Sequence, residues 1–183
     1  MKDGSRDSPV VRDSIESDVA TVQAIYAHYV LSGLATFEET PPTPDEMAAR
    51  RATLVAAGMP YLVATLDERV VGYSYVTPYR GRPAYRYTVE NSVYIDNAYR
   101  GRGLGRLLLS TLIARCEAGP WRQMIAVIAD GANTGSTALH EKLGFRHVGT
   151  LEGVGFKFGR WVETAIMQRE INTGSRTPPT TIP

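Results

Sequence analysis

Arg100-Gly101-Arg102-Gly103-Leu104-Gly105-Arg106 alternates cationic side chains with glycines, a composition suited to holding phosphate. A β-rich run, Val93-Tyr94-Ile95, enters this stretch, and an amphipathic run from Leu104 to Cys116 leaves it. A turn that opens a helix leaves its first N–H groups without intrahelical partners, and the helix dipole adds partial positive charge there. Glycines let the backbone approach a ligand closely, so the design is one for an anion. Two familiar nucleotide motifs fail. A dinucleotide fold wants G-x-G-x-x-G and an acidic residue about 20 residues on. Here the spacing is G-x-G-x-G, and the next strand-like run ends at Asp130, at the wrong distance. A P-loop closes on Gly-Lys-Ser/Thr, whereas Arg106-Leu107 follows Gly105. A helix start with glycines for turn geometry alone stays open at this point.

Three further residues could do chemistry. Glu90 lies on the strand-like run before the glycine turn, and Thr88, Glu90, Ser92 and Tyr94 share one polar face of it by strand alternation. Taken alone, Glu90 reads as a solvent-exposed strand residue. His140 sits on a helix-like run and reads equally well as a packed, hydrogen-bonded histidine. Cys116, the single cysteine, falls on an apolar helix face and reads as buried filler rather than a nucleophile.

The elements that must position these residues follow from periodicity. Val10 to Arg12 reads as a short strand, and Val19, Val22, Tyr26, Tyr29 and Val30 recur at helical spacing up to Gly33. Thr43-Pro44-Asp45-Glu46 is a capping box with Pro at the first helical position, so a second helix starts there and ends near Gly58. Tyr61 to Leu66 and Val70 to Thr77 flank Asp67-Glu68-Arg69 as a hairpin. Strands are expected from about Tyr87 to Ile95 and from Arg122 to Ala129. A helix is expected over Asn133 to Leu143, and a final hairpin over Arg146 to Phe158 and Trp161 to Glu170. The order β-α-α-β-β-β-α-β-α-β-β is an α/β pattern with a mostly antiparallel first half.

The 183 residues, 43% hydrophobic, suit one domain. Residues 1–9 read as a flexible N-terminus, 10–171 as the domain, and 172–183, rich in Thr and Pro, as a disordered tail. A net charge of +1 gives no electrostatic case for nucleic acid or membrane. A lone cysteine forms no internal disulfide and fits a reducing cytoplasm. Met1 to Pro9 is polar, unlike a signal peptide, and no run reaches membrane-spanning length. No metal is expected.

The glycine turn resembles the R/Q-x-x-G-x-G/A motif of the GNAT N-acetyltransferases, which seats the pyrophosphate of acetyl-CoA. Three more segments resemble the phosphinothricin acetyltransferase-like branch of that family. They are Thr88-Val89-Glu90-Asn91-Ser92-Val93-Tyr94, then Asn133 to Ser136 with Leu139-His140-Glu141-Lys142-Leu143-Gly144-Phe145, and the late Gly155-Phe156-Lys157-Phe158-Gly159-Arg160-Trp161. Four motifs in one order are far more specific than any one of them. The resemblance implies the GNAT fold, a central mixed, mostly antiparallel sheet flanked by helices, with acetyl-CoA as co-substrate. It implies that Val93, Tyr94 and Ile95 run along the pantetheine arm, and that Arg100, Gly101, Arg102, Gly103, Leu104 and Gly105 cradle the pyrophosphate. Asn133, Ser136 and Lys142 are implied near the cofactor, although Asn133 also reads as a helix cap and Lys142 as a surface lysine. It further implies a homodimer.

Acetyl transfer needs a neutral amine, and an α-amine with a pKa near 8 is mostly protonated at pH 7. A proton acceptor must therefore lie within about 3 Å, directly or through water. The resemblance assigns that role to Glu90. His140 stands where many family members have Tyr, and is expected to orient substrate or shuttle a proton. The substrate class implied is a small, glutamate-like amino acid such as phosphinothricin, methionine sulfoximine or methionine sulfone. Its contacts would be Phe37, Tyr79, Arg80, Arg82, Val89 and Asn91, with Glu38 as further wall and Lys157 as a further cation, although these also read as packing and surface residues. Arginine forks suit such anionic groups. Tyr79 departs from the Trp common in the branch. Other amines (polyamine, aminoglycoside, protein N-terminus) and a non-catalytic CoA-binding role stay open.

Overall fold

The computed structural model describes residues 8–129 and 134–179. Seven strands form one sheet in the order β1-β2-β3-β4-β5-β7-β6: β1 Val10–Asp13, β2 Tyr61–Leu66, β3 Arg69–Pro78, β4 Thr88–Ile95, β5 Gln123–Ala129, β6 Arg146–Lys157 and β7 Arg160–Glu170. Every pairing is antiparallel except β4 with β5. The helices are α1 Val19–Ser32, α2 Pro44–Ala56, α3 Leu104–Glu117 and α4 Thr134–Lys142. The expected α/β order holds, with strand ends shifted by a residue.

Local chemistry explains the boundaries. Thr43 accepts the Glu46 N–H while Glu46 reaches back to the Thr43 N–H at 2.6 Å, so the capping box is complete. Asp67 and Glu68 both take positive φ, 48° and 61°, the two-residue turn that matches strand twist. The late hairpin turns at Phe158-Gly159, one residue earlier than expected, and Arg160 already belongs to β7.

The sheet divides two cores. On one face α3 buries Leu104, Leu108, Leu109, Leu112, Ile113 and Cys116 against Leu62, Val71, Val89 and Met124, with Leu139 and Leu143 of α4 packed alongside. Each such leucine is worth roughly 1.5–3 kcal/mol. Gly72 lets α3 sit this close, because a Cβ there would meet the Tyr94 carbonyl at 3.0 Å and Leu108 at 3.2 Å. On the opposite face α1 and Met47 of α2 cover Tyr61, Val63, Tyr73 and Tyr94. Tyr94 is therefore core, 8% exposed, and does not extend the polar face of Glu90. The α1 packing surface draws it in, and its ring lies 5.2 Å from both Tyr26 and Tyr29.

Two expectations change. Lys157 is buried, 2% exposed, and donates to the carbonyls of Gly33 at 2.9 Å and Thr36 at 2.8 Å. It ties the α1–α2 loop to the β6–β7 hairpin and is unavailable as a substrate-facing cation. Residues 172–179, within the stretch expected to be disordered, begin in turns. Asn172 donates to the carbonyls of Gly119 and Trp121, and Arg122 binds Thr173.

Lys157→Met should lower stability by about 1–3 kcal/mol, because the buried Thr36 carbonyl and the part-buried Gly33 carbonyl lose their donor. An unchanged urea midpoint would show that the loop–hairpin tie contributes nothing.

Candidate active site

The site begins where two parallel strands part. β4 and β5 pair from Thr88↔Gln123 to Asn91↔Ala126 and no further, although β4 continues to Ile95 and β5 to Ala129. On its other edge β4 stays paired with β3 throughout, Ile95 opposite Gly72 and Val89 opposite Pro78. The bond from the Asp96 N–H to the Val71 carbonyl, with that from Tyr79 to Thr88, fixes the alternation of this ladder. Ile95, Val93, Asn91 and Val89 turn their main-chain groups away from β3, while Tyr94 and Ser92 face it. Asn91 still meets β5. Val93 and Ile95 face the gap, and among the described residues neither has a strand partner on that side. A buried edge of this kind must find hydrogen bonds elsewhere.

The gap is a cleft of about 280 Å³ bounded by β4, β5 and the start of α3. At Ile95 the edge is taken by Tyr29, whose hydroxyl donates to the Ile95 carbonyl at 2.7 Å and accepts its N–H at 3.3 Å. Val93 is left with an open N–H and C=O facing the cleft. Of the three residues expected along the pantetheine arm, Tyr94 contributes no edge, since its main chain is committed to β3.

The glycine turn closes the far end. Gly101 and Gly103 take φ of 75° and 80°, and Gly103 is the left-handed N-cap of α3. The first intrahelical bond to it comes from the Leu107 N–H, so the N–H groups of Leu104, Gly105 and Arg106 are open. Gly101, Gly103, Leu104, Gly105 and Arg100 line the cleft. Arg102 does not; its guanidinium lies 5.0 Å over the Tyr99 ring.

Glu90 and His140 occupy opposite faces of β4. Glu90 is partly buried on the α1–α2 side, opposite Thr77 of β3. Burial raises its pKa, partly offset by the charge of Arg80. His140 lies on the α3–α4 side, 4% exposed, lining the cleft. Its Nδ1 is 2.8 Å from the Ser136 carbonyl and its Nε2 is 3.1 Å from Asn91 Oδ1. Asn91 is itself held by its Nδ2, which donates to the Ile125 carbonyl at 3.0 Å. Both ring nitrogens thus face oxygen acceptors, and a fully hydrogen-bonded ring carries two protons. Burial pulls the other way and lowers the pKa.

Other expected residues divide. Ser136 lines the cleft, Lys142 is exposed outside its lining, and Asn133 lies outside the described residues. Arg80 stacks 5.1 Å over Tyr79 and reaches Glu90 through its charge, while Arg82 is exposed on the following turn. Phe37 packs its ring on Gly155, where a Cβ would lie 2.4 Å away. Val89 and Asn91 are corrected as substrate contacts. Strand alternation buries both side chains on the face away from Glu90, Val89 in the α3 core and Asn91 against His140. Cys116 is buried and its thiol is pushed up to about 12 by burial, so it is no nucleophile. Tyr29 was missed as a site residue. Its helical spacing marked it only as core, and its bond to Ile95 spans 66 residues.

A strand edge opened by a splay, followed by a glycine turn onto a helix N-terminus, defines an acyltransferase-type nucleotide cleft. The acetyltransferase (GNAT) family model matches residues 22–145, and the chain belongs to that family. It is 55% identical over 170 residues to a phosphinothricin N-acetyltransferase of Alcaligenes faecalis, covering 93% of this chain and 85% of the relative. It is 37% identical over 175 residues to an L-methionine sulfoximine/L-methionine sulfone acetyltransferase of Pseudomonas aeruginosa PAO1, covering 93% and 99%. A phosphinothricin acetyltransferase of Sinorhizobium meliloti, crystallised with AcCoA, superposes with a TM-score of 0.91 at 47% identity, over 94% of this chain and 93% of that one.

Because the Val93 N–H serves the cleft and not the β3 ladder, Val93→Pro should remove one cleft donor and leave the sheet paired. The expected result is a folded protein whose KM for acetyl-CoA rises about tenfold, the net worth of one good hydrogen bond. Tyr94→Pro, which removes a ladder bond, should instead fail to fold. An unchanged KM in Val93→Pro would remove Val93 from the cofactor track.

Proposed function

We propose that the enzyme transfers the acetyl group of acetyl-CoA directly to the α-amine of a small, glutamate-like amino acid of the phosphinothricin, methionine sulfoximine or methionine sulfone type. The observation that carries this reading is Glu90, a partly buried carboxylate with a raised pKa and Arg80 beside it, on the strand whose next residues open onto the cleft. The relatives named above act on such amino acids.

The cleft fits the cofactor. The open main chain of Val93 suits an extended amide-bearing arm, and the free N–H groups at the start of α3 suit a pyrophosphate. Bound acetyl-CoA supplies the acetyl group as an activated thioester. Glu90 takes the proton from the ammonium, directly or through water, and its raised pKa brings it closer to the amine than a free carboxylate near 4.3. Arg80 and Arg82 attract the acceptor's anionic groups, with Tyr79 and Phe37 as neighbouring walls. His140, held between Ser136 and Asn91, keeps the α4 side of the cleft in place and matters less than Glu90. With Cys116 buried in its un-ionised form, no acyl-enzyme is needed.

We also assign a homodimer in a reducing cytoplasm. The late hairpin exposes Leu151, Val154, Phe156, Phe158 and Trp161, the last 71% exposed and edge-to-face with Phe156 at 5.2 Å. Exposed apolar side chains gathered on one hairpin support a contact there. Among the described residues no helix is long and apolar enough to cross a membrane.

Acetyl-CoA turnover on a panel of amino acids, read by free-thiol release, tests the activity. CoA binding with no transfer to any amine would replace it with a non-catalytic role. Glu90→Gln should lower kcat/KM by about 10²- to 10⁴-fold. Only ionised Glu90 accepts a proton, so activity should fall as pH drops through its raised pKa, and the variant should lose that limb. His140→Ala should cost less. Equal, trivial losses in both variants would overturn the assignment. Trp161→Glu should give a monomer by light scattering if the hairpin is the contact.

A further inference from the structure

A second cavity lies on the Glu90 face of the sheet, outside the cofactor cleft. It is a groove of about 530 Å³ between α2 and the strands β2 and β3, also touched by Tyr26 of α1. Its floor is formed by Tyr61 and Tyr75, whose rings stack 5.0 Å apart and nearly parallel. Its roof is α2, a thirteen-residue helix that fully buries only Met47, with Ala48 and Leu54 partly buried beside it. A helix packed this lightly leaves apolar wall beneath it unfilled.

The groove opens beside the base. Thr77, at its end, is the strand partner of Glu90, and Tyr75 is the partner of Ser92. Thr77 and Glu90 face the same side, so their Cβ atoms are about 5 Å apart. An amine seated at Glu90 would therefore carry its substituent to the mouth of this groove. Among the lining residues Arg50 alone is charged, and it is already neutralised. Its two guanidinium nitrogens reach Glu38 at 2.6 and 3.3 Å, and Glu38 also accepts from Tyr26 at 3.0 Å. An anion entering the groove would meet a cation already paired, whereas a neutral chain meets tyrosine faces, Met47 and Leu54.

We propose that the groove beneath α2 takes the uncharged side chain of the acceptor amino acid, so that acceptors are selected by the length and neutrality of that chain. This rests on the α-amine acetyltransferase reading above and deepens it. The carboxylate of the acceptor is left to Arg80 and Arg82, and the groove ranks acceptors by apolar burial. Methionine sulfone, neutral beyond its α-carbon, is then preferred to phosphinothricin.

The test is kcat/KM along the series alanine, 2-aminobutyrate, norvaline and norleucine. In the wild type it should rise about three- to fourfold per methylene, the factor that burial of one CH₂ gives. Ala49→Phe places a ring in the groove from an exposed helix position. It should flatten the rise and leave alanine turnover within about threefold, the effect of a surface change on α2. Glu38→Gln unpairs Arg50 and should shift the ratio of 2-aminoadipate to norleucine turnover at least about tenfold toward the anion, as an uncompensated cation would. A flat series in the wild type, or an unchanged slope in Ala49→Phe, overturns the proposal. Calorimetry of norleucine and alanine on the CoA-loaded protein separates the two readings. If no amino acid is acetylated, the activity fails, yet tighter norleucine binding lost in Ala49→Phe still supports the groove. Equal binding of the two amino acids overturns it.

Discussion

A parallel strand pair that separates halfway leaves main-chain donors and acceptors exposed inside the protein, and the rest of the site answers that need. Backbone N–H and C=O groups removed from water are costly without partners. Past Asn91 and Ala126 the sheet stops supplying them. Asn91 bridges the last step by donating its side-chain amide to Ile125. Tyr29 covers Ile95 with a hydroxyl that both donates and accepts. Val93 remains open, and its edge suits an extended ligand lying where a missing strand would. The α3 N-terminus repeats the logic at the far end, where helix geometry leaves N–H groups unpaired.

The sheet also separates the work. Its α3–α4 face is apolar and tightly packed, and it carries the cofactor cleft with His140 locked between two carbonyl-type oxygens. Its α1–α2 face holds Glu90, Arg80 and a cluster of stacked tyrosines, with a lightly packed helix above. In the proposed reaction, donor and acceptor thus approach one strand from its edge and from its face. The buried Lys157 supports the acceptor side by fastening the loop that carries Phe37 and Glu38 to the β6–β7 hairpin. A cation is suited to that task because it donates to two carbonyls at once.

Much of this was legible in the chain, because the signals are local. The Thr43–Glu46 box, the period of α3, and Gly103 at a left-handed cap each depend on neighbours within about a turn. The glycine–arginine run, with the three motifs beside it, was enough to name the family. Misreadings arose where distant segments decide. Tyr94 followed strand alternation onto a polar face, but α1 covers that part of the face and makes it core. Lys157 looked like a surface cation until the loop at Gly33 and Thr36 closed over it.

The sequence by itself determined the order of elements, the glycine turn ahead of α3 and the family, since residue types and short spacings encode those. Only the tertiary structure decided that Glu90 and His140 stand on opposite faces, that Val93 alone of Val93, Tyr94 and Ile95 keeps an open edge, and that a groove ending at Thr77, the strand partner of Glu90, runs beneath α2. Those outcomes depend on where β5 leaves β4 and on how few residues α2 buries. Such long-range pairings and packings are set by contacts between segments far apart in the chain, which no local pattern records.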